Sequence, residues 1–413
     1  MSDLKPRILL VTPQPPFPPD NGGMLRIFTI ARRLRDTCDI SLLTYVRKTG
    51  DVRFKQNAAM MALRGVFKDV YAVDREATFR GARPPFDLPA VAADWYSPEM
   101  AETIARLTKQ KRFDAVHIEF LQMAFYARYV SGARTILTEH DLGHLSLFKS
   151  YFREWTGLAR FARIGDWWKV RRYHRETCRR FDRLVALTPS DAKLLGDSVS
   201  ADKIRLIPTC VDLEKFAFRP EEREDRDIDM AFVGHYPHFP NEDAARWFCG
   251  SVLGRIKKKR PSATLSLIGS SPTDKVRALA GPGVEVTGTV PDVRPYLDRS
   301  KIFVVPVRLG FGIKGKVLEA FARGLPVVAT SVVVRGIPEA VSGTHLLQAE
   351  SPADVARETE RLLSDSALRS RMAAAARSLV EKYYGWEKSV TALNRMYAEI
   401  MPGRSRARVE APA

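Results

Sequence analysis

A chain of 413 residues is longer than one hydrophobic core normally supports, which predicts two domains of about 200 residues each. Its 45% apolar and 28% charged residues are those of a folded protein, and 66 Lys and Arg against 48 Asp and Glu leave a net charge of +18 that attracts an anionic partner: a nucleotide sugar, a phospholipid surface or a nucleic acid. The four cysteines, Cys38, Cys178, Cys210 and Cys249, form no CxxC pair, so neither a zinc site nor a disulfide framework is indicated, and no run of about 18 apolar residues suits a bilayer span.

The N-terminal residues enter a strand with no apolar leader, which fits a cytoplasmic protein in a reducing compartment. That strand, 7–12, leads into the proline-rich loop PQPPFPPDNGG, and Gly22–Gly23 open a helix over 24–35. Further short apolar strands are predicted over 40–46, 70–73, 115–119, 135–138, 183–187 and 204–207. The charged, strand-poor run 211–229 reads as a linker region. A second series follows, with strands over 230–233, 264–268, 284–287, 302–305 and 327–329 and helices near 242–258, 273–279 and 317–323. Helices near 352–364 and 367–383 come next. Strands alternating with helices predict an α/β protein of two doubly wound, Rossmann-like domains facing a cleft at the carboxyl ends of their sheets. The domains are placed at 1–210 and 211–384, with a last amphipathic helix over 385–402 returning to the first domain and a tail at 403–413.

Two segments carry chemistry. In VVPVRLGFGIKGKVLEAFARGLPVVAT, a strand runs into a loop with Gly310, Gly312 and Gly315, and Lys314 and Lys316 stand at the entrance of a helix whose N–H groups and dipole favour an anion. Glu319, one turn into that helix, can point back to the same mouth. Taken alone, the segment is equally an ordinary βαβ turn with solvated lysines. Residues 142–183 hold eleven Lys and Arg against four acids, together with Trp155, Trp167 and Trp168. Trp155, Leu158, Phe161, Ala162, Gly165 and Trp168 follow helical spacing, so the segment is a basic helical insertion that either packs on its own domain or docks on an anionic membrane surface. Nucleic acid is not expected, because no recognisable binding module accompanies the charge.

Five stretches in order resemble glycosyltransferase family four: the loop at Gly22–Gly23, ILTEHD ending in His140–Asp141, AFVGHYPHFPN, VTGTVPDV and the segment containing LEAFARGLPVVAT. The resemblance covers nearly the whole chain and is strongest over 204–341. It implies the GT-B fold and retaining transfer of a sugar from a nucleotide diphosphate, UDP or GDP, to a glycan or lipid-linked acceptor in polysaccharide or glycoconjugate assembly. Neither a metal nor another cofactor is implied. It places Glu319 on the ribose hydroxyls, Gly22 and Gly23 near the diphosphate, His140 beside the transferred sugar, and Val290, Pro291 and Asp292 near the base. Gly234, His235, Gly310, Gly312, Ile313, Val317 and Leu318 complete the implied donor-binding set.

Two departures stand out. The family's first glutamate, a ligand of the donor sugar, falls on Phe311 or Leu309, and the arginine that often follows the strand at Phe232–Gly234 is His235. A desolvated diphosphate needs a cation, so Lys314 and Lys316 are expected to supply it and, with His140, to form the catalytic set. A non-catalytic nucleotide-sugar or glycan-binding scaffold of the same fold, a GT-B nucleotide-sugar epimerase, and a basic nucleic-acid or membrane adaptor are the alternative readings.

Overall fold

A computed structural model of the chain describes residues 5–19, 21–46, 53–75, 84, 86–140, 159–220, 226–310 and 312–400. The chain divides into two compact units, Met1–Ile207 with Ser389–Ala413, and Pro208–Lys388.

Among the described residues, the first unit holds seven parallel strands: β1 (Arg7–Thr12), β2 (Asp39–Val46), β3 (Val70–Asp74), β4 (Ala115–Glu119), β5 (Arg134–Thr138), β6 (Arg183–Ala186) and β7 (Ile204–Leu206). Their order is β3-β2-β1-β4-β5-β6-β7. β1 and β4 are buried along almost their whole length, as strands covered on both faces must be, which is why they read as continuous apolar runs. Helix α1 (Gly22–Leu34) follows β1; the Asn21 side chain caps it by accepting from Met24 N at 3.1 Å.

Helix α2 (Ala159–Cys178) carries the described part of the basic segment. Gly165 and Trp168 of the expected apolar stripe face outward, Trp168 at 59% exposure, and the inward face is made instead by Tyr173, His174, Thr177 and Cys178. Residues 141–158, including Trp155 and Leu158, lie outside the described residues.

The second unit holds β8 (Ile228–Val233), β9 (Leu265–Ile268), β10 (Val284–Gly288), β11 (Ser300–Val305), β12 (Val327–Ala329) and β13 (Leu347–Gln348), all parallel, in the order β10-β9-β8-β11-β12-β13. Helix α3 (Phe239–Trp247) follows β8 and continues as a π-helical stretch, Phe248–Leu253, and a further turn, Gly254–Lys257. Helix α4 (Gly315–Arg323) follows β11, starting two residues before the predicted point, so that Lys316 lies inside its first turn. Leu318 and Phe321 of α4 are fully buried, about 1.5–3 kcal/mol each. Gly324, at φ +82°, ends the helix, and Arg323 anchors it to Asp298 through its Nη2 at 2.6 Å. The run expected to be a linker packs into this unit, with Val211 and Phe216 buried in its core and Ile228 opening β8. Helix α5 (Trp386–Ile400) closes the described chain and places Tyr397 against β4 of the first unit.

Each strand order reverses once, between β1 and β4 in the first unit and between β8 and β11 in the second. The carboxyl ends of strands flanking such a reversal leave a crevice where doubly wound sheets bind ligands. At the second reversal β8 runs out on Gly234, and Gly269, after β9, approaches it so closely that a Cβ on Gly269 would lie 1.8 Å from the Gly234 carbonyl oxygen. Gly269 also has φ +142°. Gly269→Ala is therefore expected to cost about 2–4 kcal/mol and to lower the melting midpoint by about 5–15 °C; calorimetry showing an unchanged midpoint would contradict the close approach.

Candidate functional site

In the first unit, the residues read from sequence meet at the reversal. Gly23 opens α1 after β1, and Phe120 and His140 follow β4 and β5. The His140 and Phe120 rings stack at 4.0 Å and 18°. A Cβ on Gly23 would lie 2.7 Å from Phe120 Cζ and 3.4 Å from His140 Nδ1, so only a glycine lets these two rings come this near the helix N-terminus. Gly22 has open space beside it.

His140 Nε2 lies 2.6 Å from a Glu119 carboxylate oxygen. With Nε2–H donating to Glu119, the ring is held with Nδ1 turned toward the Gly23 loop. Burial alone would raise Glu119, yet His117, His140 and Arg26 hold it down to about 2, so it is ionised at neutral pH. Burial lowers His117 to about 4, so that ring is neutral there. His117 bridges Thr138 Oγ1 at 2.6 Å and the Tyr397 hydroxyl at 2.7 Å, tying the network beneath His140 to α5. Phe120, at φ +72°, is a non-glycine residue in the left-handed region, a strain of about 1–3 kcal/mol that positions its ring.

In the second unit the lysines, the glutamate and the strand ends come together. Lys316 Nζ donates to Asn241 Oδ1 at 2.7 Å and stands 4.4 Å from the centre of the Phe232 ring. Asn241 Nδ2 donates to the His235 carbonyl at 2.9 Å, which fixes the amide with its oxygen toward the lysine. Burial and the neighbouring Lys314 lower the Lys316 amine to about 7. Glu319 is raised by burial, with Lys215 and Lys316 pulling the other way. Lys314 is at the N-cap position of α4, and its Nζ lies 3.4 Å from where a Gly310 Cβ would be.

Gly312 lies against Gly336, where a Cβ would come within 2.5 Å of the Gly312 carbonyl oxygen, and Ile313 is half-buried beside it. Val317 and Leu318 are buried in the core behind the helix N-terminus, so their side chains support the site rather than face a ligand. His235 is exposed and shares a 2.8 Å hydrogen bond with Ser270 Oγ. Val290 is half-buried and Pro291 exposed in the turn after β10, where Asp292 pairs with Arg294 at 2.6 Å. Arg294 in turn donates to the Lys215 carbonyl at 3.2 Å. Leu309 is half-buried, while Phe311 and Asp141 lie outside the described residues.

Sequence reasoning missed Glu119, Phe120, Asn241, Ser270 and Lys215. Asn241 ends the quoted stretch AFVGHYPHFPN and could have been weighed as a partner for a lysine. Lys215 was hidden by the charged run assigned to a linker. Glu119 and Phe120 carry no local signal, since their partner His140 is twenty-one and twenty residues away.

The arrangement in the second unit sets an ammonium group and a helix dipole at the N-terminus of α4 with a carboxylate one turn deeper, surroundings that suit an anion. Residues 227–365 match the family described as glycosyl transferases group 1, and residues 50–215 match glycosyltransferase family 4. A D-inositol 3-phosphate glycosyltransferase of Streptomyces bingchenggensis is 40% identical over 124 residues, 29% of this chain and 26% of that protein. One from Salinispora arenicola is 28% identical over 251 residues, 53% of this chain and 55% of that protein. The chain thus spans from about a quarter to somewhat over half the length of these curated relatives.

Among solved structures, sucrose-phosphate synthase from Thermosynechococcus elongatus superposes with a TM-score of 0.70 at 16% identity, covering 96% of this chain and 99% of that one. Anabaena HepE in complex with UDP superposes with a TM-score of 0.66 at 12% identity, covering 95% and 98%. These likenesses show the fold. With residues 50–215 and 227–365 together matched by these two family descriptions, and with the two parallel sheets shared with the solved structures, the chain belongs to glycosyltransferase family 4, group 1, and has the GT-B fold.

Proposed function

We propose that the protein is a retaining glycosyltransferase that moves a sugar from a nucleotide diphosphate to an acceptor hydroxyl. The observation that carries the reading is the Lys316–Asn241 pair at the N-terminus of α4 with Glu319 one turn behind it. A partly buried ammonium group at a helix N-terminus supplies what a departing diphosphate needs, fixed positive charge where negative charge develops. Glu319 supplies a carboxylate for two vicinal ribose hydroxyls. In the first unit, His140 oriented by Glu119 presents an imidazole nitrogen beside the Gly23 loop, suited to contact the sugar or its phosphate.

UDP is the favoured nucleotide, since HepE was solved with UDP and with UDP-glucose. Two acceptor classes are supported. The basic face of α2, with Lys169, Arg171, Arg172 and Arg175 exposed beside Trp168, suits a lipid-linked glycan at an anionic membrane surface on the cytoplasmic side. Among the described residues no helix is long and apolar enough to cross a membrane. The relatives named D-inositol 3-phosphate glycosyltransferases favour instead a small phosphorylated polyol.

A panel of labelled UDP- and GDP-sugars, offered with inositol phosphate or with lipid-linked glycan in phosphatidylglycerol vesicles, tests the proposal. Transfer with retained anomeric configuration, from UDP-sugars above GDP-sugars, is expected. Interconversion of the sugar without transfer would identify an epimerase, and UDP binding without turnover on any acceptor would identify a scaffold.

A further inference from the structure

We propose that Glu139, His174 and Cys178 form a binding site for one divalent transition-metal ion of zinc-like chemistry, which ties α2 to the end of β5. Their donor atoms all lie within 4.8 Å of one another. His174 Nε2 is 3.5 Å from Cys178 Sγ and 3.6 Å from Glu139 Oε1. A tetrahedral ion with bonds of about 2.0 Å to nitrogen and oxygen and about 2.3 Å to sulfur separates its ligands by about 3.3–3.6 Å. The His174–Cys178 separation matches such an edge, and the His174–Glu139 separation is slightly longer than a nitrogen-to-oxygen one.

The backbone brings the three ligands together. His174 and Cys178 are four residues apart, one above the other on the inward face of α2, and Glu139 follows β5 directly. All three side chains are buried, at 1%, 2% and 0% exposure for Glu139, His174 and Cys178. The donor set also balances in charge: a carboxylate and a thiolate carry two negative charges, a neutral imidazole none, so a divalent ion leaves the interior uncharged. Binding requires Cys178 to give up its proton, which is released to solvent. Three protein ligands leave the fourth tetrahedral position to water or another oxygen donor.

This site was invisible to the search for paired cysteines, because its ligands are one HxxxC pair on a helix and a carboxylate thirty-five residues upstream of that pair. The rival arrangement of the same atoms is metal-free, with the Cys178 thiol donating to His174. The two differ in a direct readout. Chelator-stripped full-length protein titrated with cobalt(II) is expected to bind one equivalent and to develop a thiolate-to-cobalt absorption band in the near ultraviolet. Zinc is expected to displace the cobalt and to raise the melting midpoint of the stripped protein.

Cys178→Ser is expected to lose the band and His174→Ala to weaken cobalt binding by more than about tenfold, while Cys210→Ser, at another buried cysteine, leaves both unchanged. Should either ligand variant fail to fold by circular dichroism, the wild-type spectrum and stoichiometry decide the matter. No thiolate band in the wild-type protein, or the same band in Cys178→Ser, would overturn the proposal. The readout is independent of sugar transfer, so it stands or fails separately from the proposed function.

Discussion

Lys316→Met is expected to weaken UDP binding by about 100-fold, about 2.7 kcal/mol, and to lower turnover further, because the same ammonium group meets the charge that builds on the departing diphosphate. The variant keeps the length and apolar stem of the lysine, so the packing against Phe232 is preserved and the loss reports the charge. Its signature is a dependence on pH. With the amine lowered to about 7, the wild-type protein binds a diphosphate best below that pH, and affinity falls as pH rises above it, by up to about tenfold per unit. In Lys316→Met this slope disappears.

Stability moves the other way. Between about 7 and the ordinary lysine value of 10.5, the unfolded chain binds more protons at this residue than the folded protein does. The contribution of Lys316 to stability therefore improves as pH rises through that window, and its full penalty is felt below it. The ligand-free variant should melt above the wild type at pH 6, by about 2–4 °C for each kcal/mol relieved, with the difference shrinking toward alkaline pH. Calorimetric titration with UDP and thermal melts over about pH 6 to pH 9 measure both effects. Equal affinities, or a parallel slope in the variant, would remove Lys316 from the diphosphate.

Glu319→Gln is expected to weaken UDP binding by about 30–100-fold, through the loss of two charge-assisted hydrogen bonds to the ribose. A second consequence follows through Lys316, which the Glu319 charge holds up; removing that charge lowers the amine further and leaves less of the ammonium form at neutral pH. UDP lacking both ribose hydroxyls separates the two effects, since it should bind wild type and variant within the smaller factor due to Lys316 alone. Burial raises the Glu319 carboxyl, so the folded protein holds its proton to higher pH than the unfolded chain, and this group's contribution to stability is lost as pH rises from 4.5 through the raised value. The ligand-free glutamine variant is accordingly expected to be more stable than the wild type at neutral pH while binding less. Lys316 and Glu319 thus both trade stability for a charged site held ready for its ligand.

How far the sequence could be read depended on whether each signal was local. β1, β4, β8 and β11 are continuous apolar runs because helices cover both faces of their sheets, and that burial is written in the residues themselves. β13 is two residues long, too short for any periodicity to show. Lys316 and Glu319 were legible because strand, glycine-rich loop, helix and the glycine stop follow one another within thirty residues. The difference between Lys314 and Lys316 was not, since it depends on Asn241, seventy-five residues away, accepting from one amine.

His140 was legible only through its motif, and the reason it is oriented was not, because Glu119 is on another strand. Of the apolar stripe expected along 155–168, the described positions Gly165 and Trp168 are exposed. In its described part, the helix buries the polar and aromatic set Tyr173, His174, Thr177 and Cys178 rather than the residues at Gly165 and Trp168. Spacing marks a helical face, but which face turns inward is decided by partners distant in the chain.

A crystal structure of the protein with UDP tests the account most directly. The diphosphate is expected within hydrogen-bond distance of Lys316 Nζ at the N-terminus of α4, with both ribose hydroxyls on the Glu319 carboxylate and the base near Val290 and Pro291. UDP bound elsewhere, or a ribose with no contact to Glu319 and a diphosphate out of reach of Lys316, would contradict it.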